Sequence, residues 1–183
     1  MTEPTPADVP GVILLSGIPG VGKTTTARAL AQRLGRCAHI EGDLIQDLVI
    51  AGSCPPGYPD EAEMTLQFHL RERNMGALAD NFAACGIVPI VDDVIVTSDR
   101  VERMLAAIRT RPVSLVILTP PLDVALDRDG HRDKRVAAQW AHLDEELRSE
   151  LPGVGLWIDN SSMSIDAVVD LIVREGRDRG RIA

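Results

Sequence analysis

Between an apolar run, Val12-Ile13-Leu14-Leu15, and a helix-like stretch ending near Gly35 lies Gly17-Ile18-Pro19-Gly20-Val21-Gly22-Lys23-Thr24. The spacing Gly-x4-Gly-Lys-Thr is that of a phosphate-binding P-loop, and chemistry accounts for its residues. Glycines let successive backbone N–H groups turn inward around phosphate oxygens. Lys23 supplies a point charge for the outer phosphates, the Thr24 hydroxyl is a ligand for Mg²⁺, and the helix after it aims its N-terminal dipole at the same anion. Gly17, Gly20, Val21, Gly22, Lys23, Thr24 and Thr25 are the candidate nucleotide-binding residues. A strand–turn–helix that needed glycines only for geometry leaves the Lys-Thr pair unexplained.

Around this loop the chain alternates short apolar runs with amphipathic stretches. Strands are expected at Val12–Ser16, Cys37–Ile40, 87–91, Val113–Leu118 and 155–158. They are almost continuously apolar, as parallel strands covered on both faces must be. Helical spacing joins Ala27, Leu30, Ala31 and Leu34 before Gly35, then Val136, Trp140, Leu143 and Leu147, and finally Ile165, Val168, Val169 and Ile172 before Gly176. Glu61–Ala84 reads as one long helix or two joined near Gly76. This alternation implies an α/β three-layer sandwich with a mostly parallel sheet, whose ligands bind beyond the carboxyl ends of the strands.

Chain length and composition bound the rest. The 183 residues suit one domain, expected over 11–176, with 1–10 as a flexible leader, a lid at about 127–135 and 177–183 as a C-terminal tail. Aromatics are only 3%, so Leu, Val, Ile and Ala must build most of the core. A net charge of −8 makes nucleic acid an unlikely partner. No apolar run approaches the roughly 18 residues of a membrane span. Three cysteines, odd in number and without metal-type spacing, fit reduced thiols and a cytoplasmic location, with Cys54 the one expected at the surface. Oligomeric state is left open, because no coiled-coil pattern is present.

Four further groups carry candidate chemistry. Asp43, in Glu41-Gly42-Asp43 after the second strand, suits a base or orienting group for an attacking hydroxyl; its bland reading is the N-cap of a helix from Leu44. Ile90-Val91-Asp92-Asp93 is a hydrophobic strand ending in acids, the Walker B pattern, with Asp92 assigned to the metal and Asp93 to substrate. Side chains alternate along a strand, so two adjacent aspartates leave that division ambiguous. In Arg128-Asp-Gly-His-Arg132-Asp-Lys134-Arg135, mobile cations suit a lid over a transferring phosphoryl group, with Arg132 and Arg135 on phosphate and Arg128 against the adenine. A solvated helix end is the competing reading. Tyr58, His69 and Arg73 are weaker candidates for the acceptor pocket, Asn160 and Ser161 edge the adenine side, and Trp140 and Trp157 read as core.

With these motifs in place the chain resembles the P-loop kinases of the shikimate- and nucleotide-kinase type, and within them the chloramphenicol phosphotransferase-like group. The resemblance runs from about Val12 to Val173 and rests on the P-loop, Asp43-Leu44-Ile45, Val91-Asp92-Asp93-Val94 and the Arg-Asp-Lys-Arg lid. It implies a five-stranded parallel sheet of order 2-3-1-4-5, ATP and Mg²⁺ as cofactors, and an aspartate matching Asp43 as base. It supports Lys23, Asp43, Arg132 and Arg135 as catalytic, and Thr24 and Asp92 as metal ligands. The function expected is phosphoryl transfer from ATP to a hydroxyl of a small molecule, an antibiotic or other metabolite. The alternatives are a nucleoside or nucleotide kinase, and an ATP-binding switch acting through a protein partner.

Overall fold

The computed structural model describes residues 11–130 and 140–183. Five strands form one sheet: β1 (Val12–Ser16), β2 (Cys37–Glu41), β3 (Val88–Asp92), β4 (Val113–Leu118) and β5 (Leu156–Ile158), in the order β2-β3-β1-β4-β5. Every neighbouring pair is parallel. The helices are α1 (Lys23–Leu34), α2 (Gly42–Gln46), α3 (Glu61–Ala84), α4 (Ser98–Ala107), α5 (Leu122–Gly130), α6 (His142–Glu150) and α7 (Ile165–Arg179). The expected α/β sandwich and strand order are those of the structure.

Strand alternation divides the core into two layers. Val12 and Leu14 of β1, with Val113, Leu115 and Ile117 of β4, face Met75 and Ala79 of α3 and Met104 of α4. Ile13 and Leu15, with Val116 and Leu118, face Ala27 and Leu30 of α1 and Val168, Val169 and Ile172 of α7. Side chains on both faces of β1 and β4 are buried, which is why these strands read as unbroken apolar runs.

Helix ends follow local chemistry. The Asp60 carboxylate accepts from Glu63 N–H at 3.0 Å to start α3, and the Thr97 and Ser164 hydroxyls cap α4 and α7 in the same way. Residues 61–84 form a single helix. Gly76 sits inside it because a side chain there would stand 2.5 Å from the Ala107 carbonyl oxygen, where α4 crosses. The last helix passes Gly176 and runs to Arg179, since Gly176 costs only about 1 kcal/mol inside a helix whose apolar face is buried. Beyond it, the 177–183 segment is no free tail: Leu115 N–H donates to Gly180 O at 2.8 Å and Ile182 N–H to Val113 O at 2.9 Å. No described helix is long and apolar enough to cross a membrane.

Cys54 is buried and Cys85 is exposed, the reverse of expectation. The reason is Gln67 of α3. Its Oε1 accepts from Cys54 N–H at 2.8 Å, its Nε2 donates to Gly52 O at 2.7 Å, and Gln46 Nε2 reaches its Oε1 at 3.2 Å. One amide thus pins the Pro/Gly-rich loop and the end of α2 onto α3. Trp140 and Trp157 are only half-buried rather than core.

Candidate functional site

The loop between β1 and α1 turns through Gly17, Gly20 and Gly22, at φ of 137°, 87° and 96°. These backbone conformations favour glycine. Gly17 and Gly20 are also crowded: a Cβ would lie 2.5 Å from Leu118 O at the first and 2.3 Å from Ala125 O at the second. Lys23 opens α1 and crosses its own loop, its Nζ donating to Gly17 O at 3.0 Å and Ile18 O at 3.1 Å. Thr25 is exposed in the first helical turn, and Val21 is buried.

Strand register sets what stands beside the loop. Leu15 of β1 pairs with Asp92 at the end of β3, and Glu41 of β2 pairs with the same Asp92. Thr24 Oγ1 therefore reaches Asp92 Oδ2 at 2.8 Å, and His39 Nε2 lies 3.2 Å from the same oxygen. A reciprocal pair, Ser16 Oγ donating to Ile95 O at 2.7 Å and Ile95 N–H to Ser16 Oγ at 2.9 Å, fastens the exit of β3 to the end of β1. Thr24 and Asp92 fit Mg²⁺: both ligands are hard oxygens, and their 2.8 Å separation is close to the roughly 2.9 Å between adjacent oxygens of an octahedral Mg²⁺ shell.

The two aspartates at the end of β3 part company. Asp93 lies beyond the strand and turns into the protein, where it is 4% exposed. Arg71 donates to both of its oxygens at 3.1 and 3.2 Å, Arg100 donates to Oδ2 at 2.7 Å and Val94 N–H to Oδ1 at 2.9 Å. Burial pushes the Asp93 carboxyl up, but Arg100 and Arg71, with Val94 N–H and Lys23, outweigh it and hold the group below its ordinary value. Asp93 was assigned to substrate on sequence; its acceptor sites are filled by protein, so that assignment is corrected. Phe68 lies against both guanidiniums, 4.7 Å from Arg71 Cζ and 5.4 Å from Arg100 Cζ.

Gly42 rests on this cluster. A Cβ on it would stand 2.8 Å from Asp93 Cγ. That contact brings the next residue, Asp43, to the end of β3. The helix there begins at Gly42 with Glu41 as N-cap and no side-chain capping bond, so Asp43 is exposed in the first turn and does not serve as the cap.

On the far side of the loop Arg128 of α5 donates to Asn160 O at 3.0 Å and Ser161 O at 3.3 Å, and Asn160 Nδ2 donates to Val21 O at 3.0 Å. Arg128, Asn160 and the loop thus form one unit. Arg132 and Arg135 lie outside the described residues. Tyr58 is exposed on the Pro/Gly-rich loop. His69 and Arg73 are exposed in an open groove of about 700 Å³ between α3 and α4, with Leu66, Arg103 and Ala107. They stand about 200° around α3 from Arg71, since each helical residue turns about 100°. The structure does not bring them to Asp43.

Sequence reasoning missed His39, Arg71, Arg100 and Ser16. His39 and Glu41 share one side of β2 by alternation, a signal that points toward the Asp92 end. Arg71 and Arg100 carry no local signal, because their partner is set by how α3 and α4 pack.

Residues 12–149 match the family model described as AAA domain (AAA_33). No curated protein matches the chain in sequence. Among solved structures, the chain is similar to the Deinococcus radiodurans tunicamycin resistance protein at 23% identity and a TM-score of 0.65, covering 90% of this chain and 94% of that one. It is similar to a sugar kinase from Janibacter sp. at 17% identity and a TM-score of 0.69, covering 94% and 98%. A gluconokinase from Sinorhizobium meliloti follows at 16% identity and 0.65, covering 93% and 94%. At these identities the likeness is one of fold, that of P-loop small-molecule kinases.

Proposed function

The chain belongs to the AAA_33 family of AAA domains, and on that premise we propose that it is an ATP-dependent phosphotransferase whose acceptor is a hydroxyl of a small molecule. One observation carries the reading: the Thr24–Asp92 pair and the exposed Asp43 share the carboxyl ends of adjacent strands. Donor and acceptor groups thus meet at one sheet edge, where open α/β sheets bind ligands.

Lys23 would neutralise the outer phosphates of ATP, leaving the carbonyls of Gly17 and Ile18. Thr24 and Asp92 would hold Mg²⁺, which when bound offsets phosphate charge during transfer. Asp43 would orient the acceptor hydroxyl and take its proton as the new O–P bond forms and ADP departs. Arg128 would sit at the adenine side with Asn160, and Arg132 and Arg135 would close over the moving phosphoryl group. A donor such as ATP accords with a cytoplasmic location.

The printed names of the structural neighbours suggest the panel for a test: sugars, sugar acids, nucleosides and hydroxylated antibiotics, screened for ATP consumption with mass detection of the product. A phosphorylated acceptor supports the proposal. ATP hydrolysis that no small alcohol stimulates, but that a macromolecule does, would replace it with the switch reading.

A further inference from the structure

Arginines on the acceptor side are already spent on carboxylates. Arg71 is buried on Asp93, Arg100 bridges Asp93 and Glu72 at 2.7 and 3.1 Å, and Arg103 takes Glu72 at 2.7 Å together with Asp99. Three guanidiniums face three carboxylates. Arg71 Nε, which has no acceptor among the described residues, is itself enclosed and offers a dissolved anion no surface. Acidic substrates are gripped by arginines whose forks remain open to carboxylate or phosphate. The α3–α4 wall beside Asp43 presents none.

What this side does expose is apolar. The large exposed hydrophobics found among the described residues, Leu44, Leu48, Ile50, Tyr58 and Leu66, all fall between positions 44 and 66. Leu48 is 70% exposed and Ile50 95%. Helical spacing puts Leu44 beside Asp43 and over Leu48, while Ile45 and Gln46 turn inward. The Gln67 amide holds the segment after α2 against α3, so the apolar surface is continuous in chain with the carboxylate assigned to the hydroxyl.

From these two observations we propose that the acceptor is an uncharged alcohol with an extended apolar body, its hydroxyl at Asp43 and its body along Leu44, Leu48 and Ile50. The proposal rests on the phosphotransferase reading. It excludes sugar acids and nucleoside monophosphates as preferred acceptors.

The test uses the full chain with ATP and Mg²⁺ and an alkyl glucoside series from methyl to octyl, below micelle-forming concentrations, beside gluconate and AMP. Product is detected by mass, and binding by calorimetry in the presence of a non-hydrolysable ATP analogue. Affinity is expected to rise with chain length, approaching threefold to fourfold per methylene where burial is complete. Leu48→Asp and Ile50→Asp should each erase that dependence by tenfold or more in KM while ATP affinity stays intact. Preference for gluconate or AMP, or equal binding of methyl and octyl glucosides, overturns the proposal but leaves the phosphotransferase standing. Graded binding without any phosphorylated product supports the apolar site and sinks the phosphotransferase. A self-associating chain that Leu48→Asp renders monomeric, with no chain-length dependence, makes the surface an interface between copies and overturns the proposal.

Discussion

Thr24 donates to Asp92 Oδ2 across 2.8 Å, so the first turn of α1 and the end of β3 share one oxygen-lined point. His39 approaches the same carboxylate oxygen from β2. If this point holds Mg²⁺, Thr24→Ala and Asp92→Asn both weaken the metal-dependent step. Each should lower turnover on the order of 10²-fold and raise the Mg²⁺ concentration needed for half-maximal rate. A Mg²⁺ titration of ATP turnover reads both quantities. Unchanged Mg²⁺ dependence in Asp92→Asn would remove Asp92 from the metal site.

Asp43 differs because nothing in the fold depends on its carboxylate. It is exposed, and no capping bond uses it. Asp43→Asn should therefore leave the unfolding midpoint and ATP affinity nearly unchanged while turnover falls about 10²-fold or more. Equilibrium ATP binding and steady-state kinetics on one preparation separate these effects. A variant with full activity would exclude Asp43 as base.

Asp93 is the converse, a buried carboxylate the fold cannot lose. Asp93→Ala would strand Arg71 and Arg100 in the interior, and removing one partner of a buried pair costs about 3–5 kcal/mol. Denaturant unfolding should show a loss of that order, with Asp92→Asn far milder. The cluster also supports Gly42. Gly42→Ala forces a methyl to within 2.8 Å of Asp93 Cγ, so turnover should fall while ATP affinity holds. Equal stability of the Asp92 and Asp93 variants would contradict this division.

The parts of this molecule legible in sequence are those with local causes. Strands β1 and β4 are buried on both faces and read as unbroken apolar runs, and the P-loop needs its glycines for the backbone it adopts. The Asp92-Asp93 division was not legible, because β3 stops at Asp92 and alternation no longer governs the next residue. Helix α3 misled for another reason. It buries Gln67, Arg71, Glu72 and Asp80 beside Met75 and Ala79, so its inner face is not marked by hydrophobicity. That is why His69 and Arg73 were favoured over Arg71: the arginine that matters is chosen by Asp93 across the fold. Gly176 misled because a buried face carries the last helix through it to Gly180.

Asp80, on that same inner face, gives a stability prediction independent of catalysis. Its carboxylate accepts from Arg109 N–H at 3.0 and 3.1 Å, from Thr110 N–H at 2.8 Å and from the Thr110 hydroxyl at 2.8 Å, tying α3 to the segment before β4. Burial raises its pKa, but the Thr110 and Arg109 hydrogen bonds prevail and bring it to about 2 from 3.8. The folded chain thus binds this proton less readily than the unfolded one. The resulting stabilisation is complete above about pH 5 and is lost as pH falls through about 4 toward 2. Asp80→Asn should be less stable than the parent at pH 7, and the gap should narrow as acid protonates the parent carboxyl. Urea midpoints at pH 7, 4 and 2.5 measure it. A gap that stays constant across those three values would show that the Asp80 charge contributes nothing to the join between α3 and β4.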